Sequence, residues 1–369
     1  MTLSLASMLS VGALAACSPP EDDESTTSEG GTDAATATSA EEFGGMEELE
    51  KAAQEEGELN VIALPPDWAN YGEIIDTFSE KYDIEVNSAQ PDAASQDEIN
   101  AANQLEGTER APDVFDLSQS VALANTDMFA PYQVQTWDDI PAEFKDPDGT
   151  WVNDYGGFMS IGYDSAEVPE VTSLDDLLGP EFKGKVALNG DPTQAGAAFS
   201  GVVMAAVANG GSADDVAPGV EFFGDLKEAG NFLPVDPTPA TIESGQTPVV
   251  IDWDYLNAAE GAKLDTWELL VPSDAVVAGY YHQAINADAP HPAAARLWQE
   301  FLYSDEGQNL WLEGGARPVR AEAMAEAGTI DEELYDALPP VEGDPVIPTV
   351  EQTEKAAEYL NQNWAKVVG

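Results

Sequence analysis

Short apolar runs and amphipathic stretches take turns along this chain, and that alternation restricts its fold more than any other feature. "ELNVIALP" (58–65), "IEVNSA" (84–89), "PDVFDLS" (112–118), "KGKVALNG" (183–190) and "VVIDW" (249–253) have the length and apolar content of buried strands. Between them, "YGEIIDTFSEKY" sets Tyr71, Ile74, Ile75, Phe78 and Tyr82 on one helical face. A second helix is predicted over "QAGAAFSGVVMAAVANGG", stopped by Gly210 and Gly211. A short acidic helix opens the body at Glu47, and the chain from about Pro292 onward reads as mainly helical. Such alternation builds α/β sheets joined by right-handed crossovers. At 369 residues there is room for two units, each with its own core.

Open α/β sheets hold ligands at the carboxyl ends of their strands. Four segments answer that description: Pro65 to Tyr71, Asp116 to Ser120, Asn189 to Gly196, and Asp252 to Tyr255. They are far apart in sequence, and a cleft between two lobes would bring them together. The last of them is unusual, because "VVIDWDYLN" (249–257) ends an apolar strand with two carboxylates around an indole. An unpaired charge is expensive to bury. Strand alternation puts Asp252 and Asp254 on one face and Trp253 and Tyr255 on the other. The strand is therefore expected to end near Asp252, with Trp253 and Asp254 in the turn. The alternative packs Trp253 and Tyr255 in the core and leaves both acids in water.

Charge excludes one class of partner. With 70 Asp and Glu against 13 Lys and Arg, the formal net charge is −57. Phosphate backbones need a basic surface, so nucleic acid is excluded. Most of these carboxylates form a solvated outer face.

The single cysteine forbids an internal disulfide or a thiolate metal cluster. Cys17 closes "LAAC" behind the apolar stretch Leu3 to Leu14, which is too short to span a bilayer. This resembles the lipobox of bacterial lipoproteins. The resemblance implies a signal peptide over 1–16 and a lipid on Cys17 that anchors the chain to the outer face of the cell membrane, or in the periplasm. Residues 18–45 contain no Val, Ile, Leu or Met. Such a segment cannot offset its ordering entropy, and 17–46 is expected to be a lipidated, disordered acidic tether.

"NADAPHPAAARLWQEFLYSDEGQNLWLEGGARPV" (286–319) resembles the late segment of bacterial extracellular solute-binding proteins of ABC importers. "GDPTQAGAAFSG" (190–201) and "IESGQTPVVIDWDYL" (242–256) are similar to two further landmarks of that family. The likeness runs from about residue 58 to 325. It implies the two-lobed type II periplasmic-binding-protein fold, an α/β architecture whose lobes are joined by a crossing-strand hinge. Lobe 1 is expected over 47–161 and 282–323, lobe 2 over 162–281 and 324–369. A monomer that passes its solute to permease transmembrane subunits is implied, without a cofactor.

Within the family, the spermidine/putrescine-binding branch is most similar. Trp68 and Tyr71 in "DWANY", Ser118 in "FDLSQS", Asp191 and Trp253 fall where that branch keeps matching residue types. Tyr281 stands where it has a carboxylate, and Gln194 near the place of a further one. An organic cation, most plausibly a polyamine, is the expected solute. Aromatic faces hold ammonium groups, and carboxylates add charge-assisted hydrogen bonds. Trp68, Tyr71 and Trp253 would sandwich it, with Tyr255 beside them, while Asp191, Asp254 and Asp116 pair with its nitrogens.

Three alternatives stay open. The helix start at Gly196 could seat an anion such as a phosphonate or sugar phosphate, with Arg317 available nearby. "GYYHQ" (279–283) resembles a ferric ligand set, although iron-binding relatives carry adjacent tyrosines in the segment corresponding to 252–255, where only Tyr255 stands here. A secreted hydrolase using paired carboxylates is the remaining class. Against it, the chain has only His282 and His291, and no HExxH, P-loop or GxGxxG. No catalytic or metal-ligating residue is therefore assigned.

Overall fold

One long strand organises the molecule. The computed structural model describes residues 33–339 and 341–369. The expected signal peptide, Cys17 and the first part of the expected tether lie outside the described residues. The strands, in chain order, are β1 (Glu58–Ile62), β2 (Glu85–Ala89), β3 (Val114–Leu117), β4 (Phe129–Ala130), β5 (Val152–Asp164), β6 (Val186–Leu188), β7 (Val249–Trp253), β8 (Trp267–Leu270), β9 (Ala278–Asn286) and β10 (Arg317–Pro318). β5 runs for 13 residues, almost all buried. Its first part pairs with β9 and β10, its second with β7 and β8. Two sheet halves, ordered β3-β9-β5 and β5-β7-β6, therefore share this strand.

The sheet is mixed rather than dominated by crossovers. Only β1 with β2 and β6 with β7 run parallel. β3, β5, β7 and β9 meet antiparallel because β9 inserts between β3 and β5, and β5 between β9 and β7, instead of adding at one edge. Helices form where the apolar spacing predicts them, at Tyr71–Tyr82, Gly196–Ala208 and Pro292–Leu302. The closing helix Val350–Val367 packs on both Gln119–Ala124 and Ala217–Ala229. It thus touches both expected lobes, not the second alone. No helix among the described residues is long and apolar enough to cross a membrane.

Part of the expected tether, from residue 33 on, packs against the body. Ala37 and Ala40 are buried, and a short helix, Ala40–Phe43, is capped by Ser39. The cause is tertiary: the buried Arg296 guanidinium donates to the carbonyls of Ala37 (2.8 Å) and Ala35 (3.1 Å). The Gln133 amide adds a bond to Thr38 O at 2.8 Å. Residues 33–46 are docked to the body, which forms one compact unit.

Candidate functional site

The loop after β1 carries Trp68 inward by an uncommon backbone. Ala69 and Asn70 have φ of 45° and 69°, a left-handed pair outside glycine. The strain is held from both sides. Asn70 donates to Leu310 O at 3.1 Å, and Ala69 lies so close to Gly314 that a Cβ there would meet its carbonyl carbon at 2.6 Å. Trp68 then donates its indole N–H to the Tyr155 hydroxyl at 2.8 Å.

Tyr155 comes from "NDYGG" in β5 and escapes sequence reasoning. The signal was the glycine pair in a strand interior, which marks close approach. A Cβ on Gly157 would meet Asp254 Oδ1 at 2.5 Å and the Tyr255 ring at 2.7 Å. Tyr155 is fully buried, stacked on Trp311 at 4.2 Å, and donates to Asp116 Oδ2 at 3.1 Å. Tyr71 donates to the same oxygen at 2.6 Å and is itself held by Gln283 Nε2 at 3.0 Å. Asp116 Oδ1 is buried without a partner, as are the Ser118 and Tyr255 hydroxyls. Burial raises the Asp116 pKa to about 7, against the two tyrosine hydrogen bonds.

Beyond Tyr155, further aromatic rings close a circuit. Trp68 lies 6.2 Å from Tyr255, Tyr255 6.4 Å from Trp253, Trp253 6.3 Å from Tyr281, and Tyr281 5.9 Å from Trp68, centre to centre. Tyr155 bridges two opposite members, lying 6.0 Å from Tyr255 and 5.5 Å from Tyr281. Trp253 donates to the Tyr281 hydroxyl at 3.3 Å. A cavity of about 680 Å³ adjoins the circuit, sharing Trp253 and Tyr281 with it, and is lined also by Ser118 and Ile347–Glu351. Its charged wall residues are Glu143 and Glu351. His282, also in the wall, is neutral, because burial lowers its pKa to about 3.

The structure thus brings together Trp68, Tyr71, Asp116, Ser118, Trp253, Tyr255 and Tyr281. It keeps three expected residues apart. Asp191 and Gln194 are exposed, and Asp191 Oδ1 accepts from the Thr193 amide and hydroxyl at 2.8 and 2.7 Å in a local turn. Asp254 is fully buried but already met: Arg317 Nη1 reaches its Oδ2 at 2.6 Å and the Phe158 amide its Oδ1 at 2.9 Å. β7 also extends through Trp253 and the helix Asp254–Gly261 begins at once, leaving no turn between them. Asp252 is likewise engaged, by Asn189 at 2.7 Å and the Trp253 amide at 2.8 Å.

The anion and iron alternatives find little here. Arg317 is tied to Asp254, Arg296 to the 35–37 carbonyls, and Arg320 to Asp139 and Asp305. Burial pushes the Tyr155, Tyr255 and Tyr281 hydroxyls upward in pKa, with nearby acids adding to the effect. They therefore stand as neutral groups. Among the described residues no three His, Cys, Asp or Glu side chains are grouped to hold a metal.

Comparison with known proteins agrees with this architecture. The family model described as "Bacterial extracellular solute-binding protein" matches residues 112–337. Similar solved structures include a putative spermidine/putrescine ABC transporter protein from Listeria monocytogenes (14% identity, TM-score 0.65, covering 84% of this chain and 98% of that one). A periplasmic binding protein from Actinobacillus pleuropneumoniae, solved with fructose-6-phosphate, has 15% identity, TM-score 0.66 and coverage of 85% and 98%. A ferric binding protein from Campylobacter jejuni has 18% identity, TM-score 0.62 and coverage of 84% and 99%. At such identities the likeness shows the α/β periplasmic-binding-protein fold. No curated protein sequence matches the chain significantly.

Proposed function

Because this chain belongs to the bacterial extracellular solute-binding proteins, which capture a solute for an ABC importer and are not enzymes, we propose that it captures a small organic cation. One observation carries the reading: a buried carboxylate, Asp116, keeps an oxygen unpaired beside the aromatic cluster to which its partners Tyr71 and Tyr155 belong. Such an oxygen is costly unless a donor arrives. An ammonium group supplies the missing charge to Asp116 and meets ring faces on its other sides, each worth about 0.5–2 kcal/mol. The acidic cavity wall opposes an anion by the same electrostatics.

In this reading 47–161 with 282–323, and 162–281 with 324–369, close on the solute about β5 and β9. A lipid on Cys17 holds the receptor at the membrane, and the closed form docks on the permease transmembrane subunits as a monomer. A polyamine is the solute that the sequence resemblance favours. Thermal unfolding of the purified protein tests the cation reading, since a ligand at 100 times its Kd adds about 2.7 kcal/mol of stability. Cationic amines should raise the midpoint, while fructose 6-phosphate, aminomethylphosphonic acid and ferric citrate leave it unmoved. A midpoint raised only by an anion or by ferric iron refutes the reading.

A further inference from the structure

The closing helix Val350–Val367 meets the two expected lobes on unequal terms. Its seam with the helix Ala217–Ala229 is close-packed. Trp364 lies 5.4 Å from Phe223, centre to centre, and Leu360 is fully buried. A Cβ on Gly224 would meet Val367 Cγ1 at 2.7 Å, so this seam needs the glycine. Gln352 Nε2 donates to Asp214 Oδ2 at 2.8 Å. Just before the helix, Val346 exchanges backbone hydrogen bonds with Val276 and Ala278, at 2.8 and 3.0 Å, where β9 begins. All these partners lie within 162–281.

The seam with Gln119–Ala124, in the other lobe, is built differently. A groove of about 450 Å³ runs along it, between Leu123 and Ala124 on one side and Ala357 and Asn361 on the other. A gap of this size forfeits the dispersion contacts of a closed interface. Across the seam the fully buried Thr353 donates its hydroxyl to Gln119 Oε1 at 2.7 Å. Gln119 Nε2 faces Pro348 O at 3.4 Å, so both ends of this amide meet one segment. Gln119 also follows Ser118, whose unpaired hydroxyl is in the cavity wall, and 347–351 form another part of that wall. Ile347 and Val350 are two of four large apolar side chains exposed among the described residues, yet both line the cavity. Lobes that part must open one of the two seams. Opening the packed one would put Leu360 and Trp364 into water. Opening the gapped one breaks a hydrogen bond whose groups water can pair again.

We propose that the closing helix moves with 162–281 and latches onto Gln119 when the lobes shut. The Thr353–Gln119 hydrogen bond then fastens the closed form, and Ile347 to Val350 complete the wall of the cavity. This inference takes the two lobes from the reading above and adds what holds them together; the identity of the solute does not enter it.

Hydrogen–deuterium exchange and small-angle X-ray scattering of the purified protein, without solute, test it. In the wild type, amides of 119–124 and 347–353 should exchange faster than those of 217–229 and 358–367, because their seam is the one that opens. Thr353→Val keeps the side-chain shape and removes the donor. It should speed exchange in 119–124 and 347–353 about three- to tenfold, the weight of one net hydrogen bond, and enlarge the radius of gyration. Protection of 217–229 and 358–367 should stay at the wild-type level, and Thr353→Ser, which keeps the hydroxyl, should match the wild type throughout. Loosening spread evenly along the closing helix would make Thr353 a mere anchor and overturn the latch. Unchanged exchange or an unchanged radius in Thr353→Val, or a packed seam that exchanges as fast as the gapped one, overturns it too. Each of these results leaves the cation reading standing, and a thermal midpoint that no cation raises leaves the latch standing.

Discussion

Replacing Asp116 by asparagine should make the empty protein more stable while removing its affinity for a cation. The side chains are nearly isosteric, and the asparagine oxygen can still accept from Tyr71 and Tyr155, which bond Oδ2 at 2.6 and 3.1 Å. What is lost is a buried charge. Burial holds the Asp116 pKa at about 7, against the 3.8 of a free aspartate. Between those values the native protein binds a proton that the unfolded chain has released. Wild-type stability therefore falls as pH rises from about 4 to about 7, and the loss is complete above that. Three pKa steps set a ceiling on the order of 4 kcal/mol. Relief of repulsion on the neighbouring buried acids Glu98 and Asp154, each pushed up by burial and then by the Asp116 charge, acts in the same direction. Asp252, also raised to about 7 by burial, stays in the variant and preserves a smaller slope as an internal control. Urea unfolding of both proteins at pH 4.5 and pH 8 measures the effect, with calorimetric titration of a bound cation alongside. The variant should gain 1–4 kcal/mol at pH 8, roughly the pKa ceiling, and almost nothing at pH 4.5. Equal stability at both pH values, a less stable variant at pH 8, or cation affinity kept within twofold would refute the reasoning.

Arg317→Met should cost about 3–5 kcal/mol by urea unfolding, because it strands the fully buried Asp254 charge; adding Asp254→Asn should recover part of that loss. An Asp254→Asn variant that loses solute affinity with unchanged stability would return Asp254 to the binding site. Arg296→Ala should free residues 33–46, so that limited proteolysis trims the chain to the helix Met46–Glu56, and intact protection would contradict the docking. With a net charge of −57, the thermal midpoint should rise between about 0.1 and 1 M salt, as the Debye length shrinks from roughly 10 to 3 Å. A flat midpoint over that range would show that surface repulsion contributes little.

Local chemistry wrote a good part of this molecule. Strand ends after β1, β3 and β7 were legible from apolar runs stopped by polar residues, and they led to Trp68, Asp116, Ser118, Trp253 and Tyr255. These residues meet because an α/β sheet exposes its strand ends on one side. Periodicity likewise placed the helices, since a buried stripe at 3.6 residues has few other uses. The tether was misjudged for the opposite reason: nothing within 33–46 is apolar enough to order it, and its anchor, Arg296, lies some 260 residues away.

Only the folded chain could decide which acids were free. Asp116, Asp252 and Asp254 look alike in sequence, each at the end of a strand run with an aromatic near it. Their fates depend on Arg317, Asn189 and Phe158, which come from other elements and leave no mark in the local pattern. Tyr155 stayed hidden likewise, because a tyrosine in a strand says nothing about the ring that will cross it. Composition and period act along the chain and determine where elements start, stop and turn a face inward. Charge pairing and ring geometry act through space over a few ångströms, so the character of the site emerges only where distant segments touch.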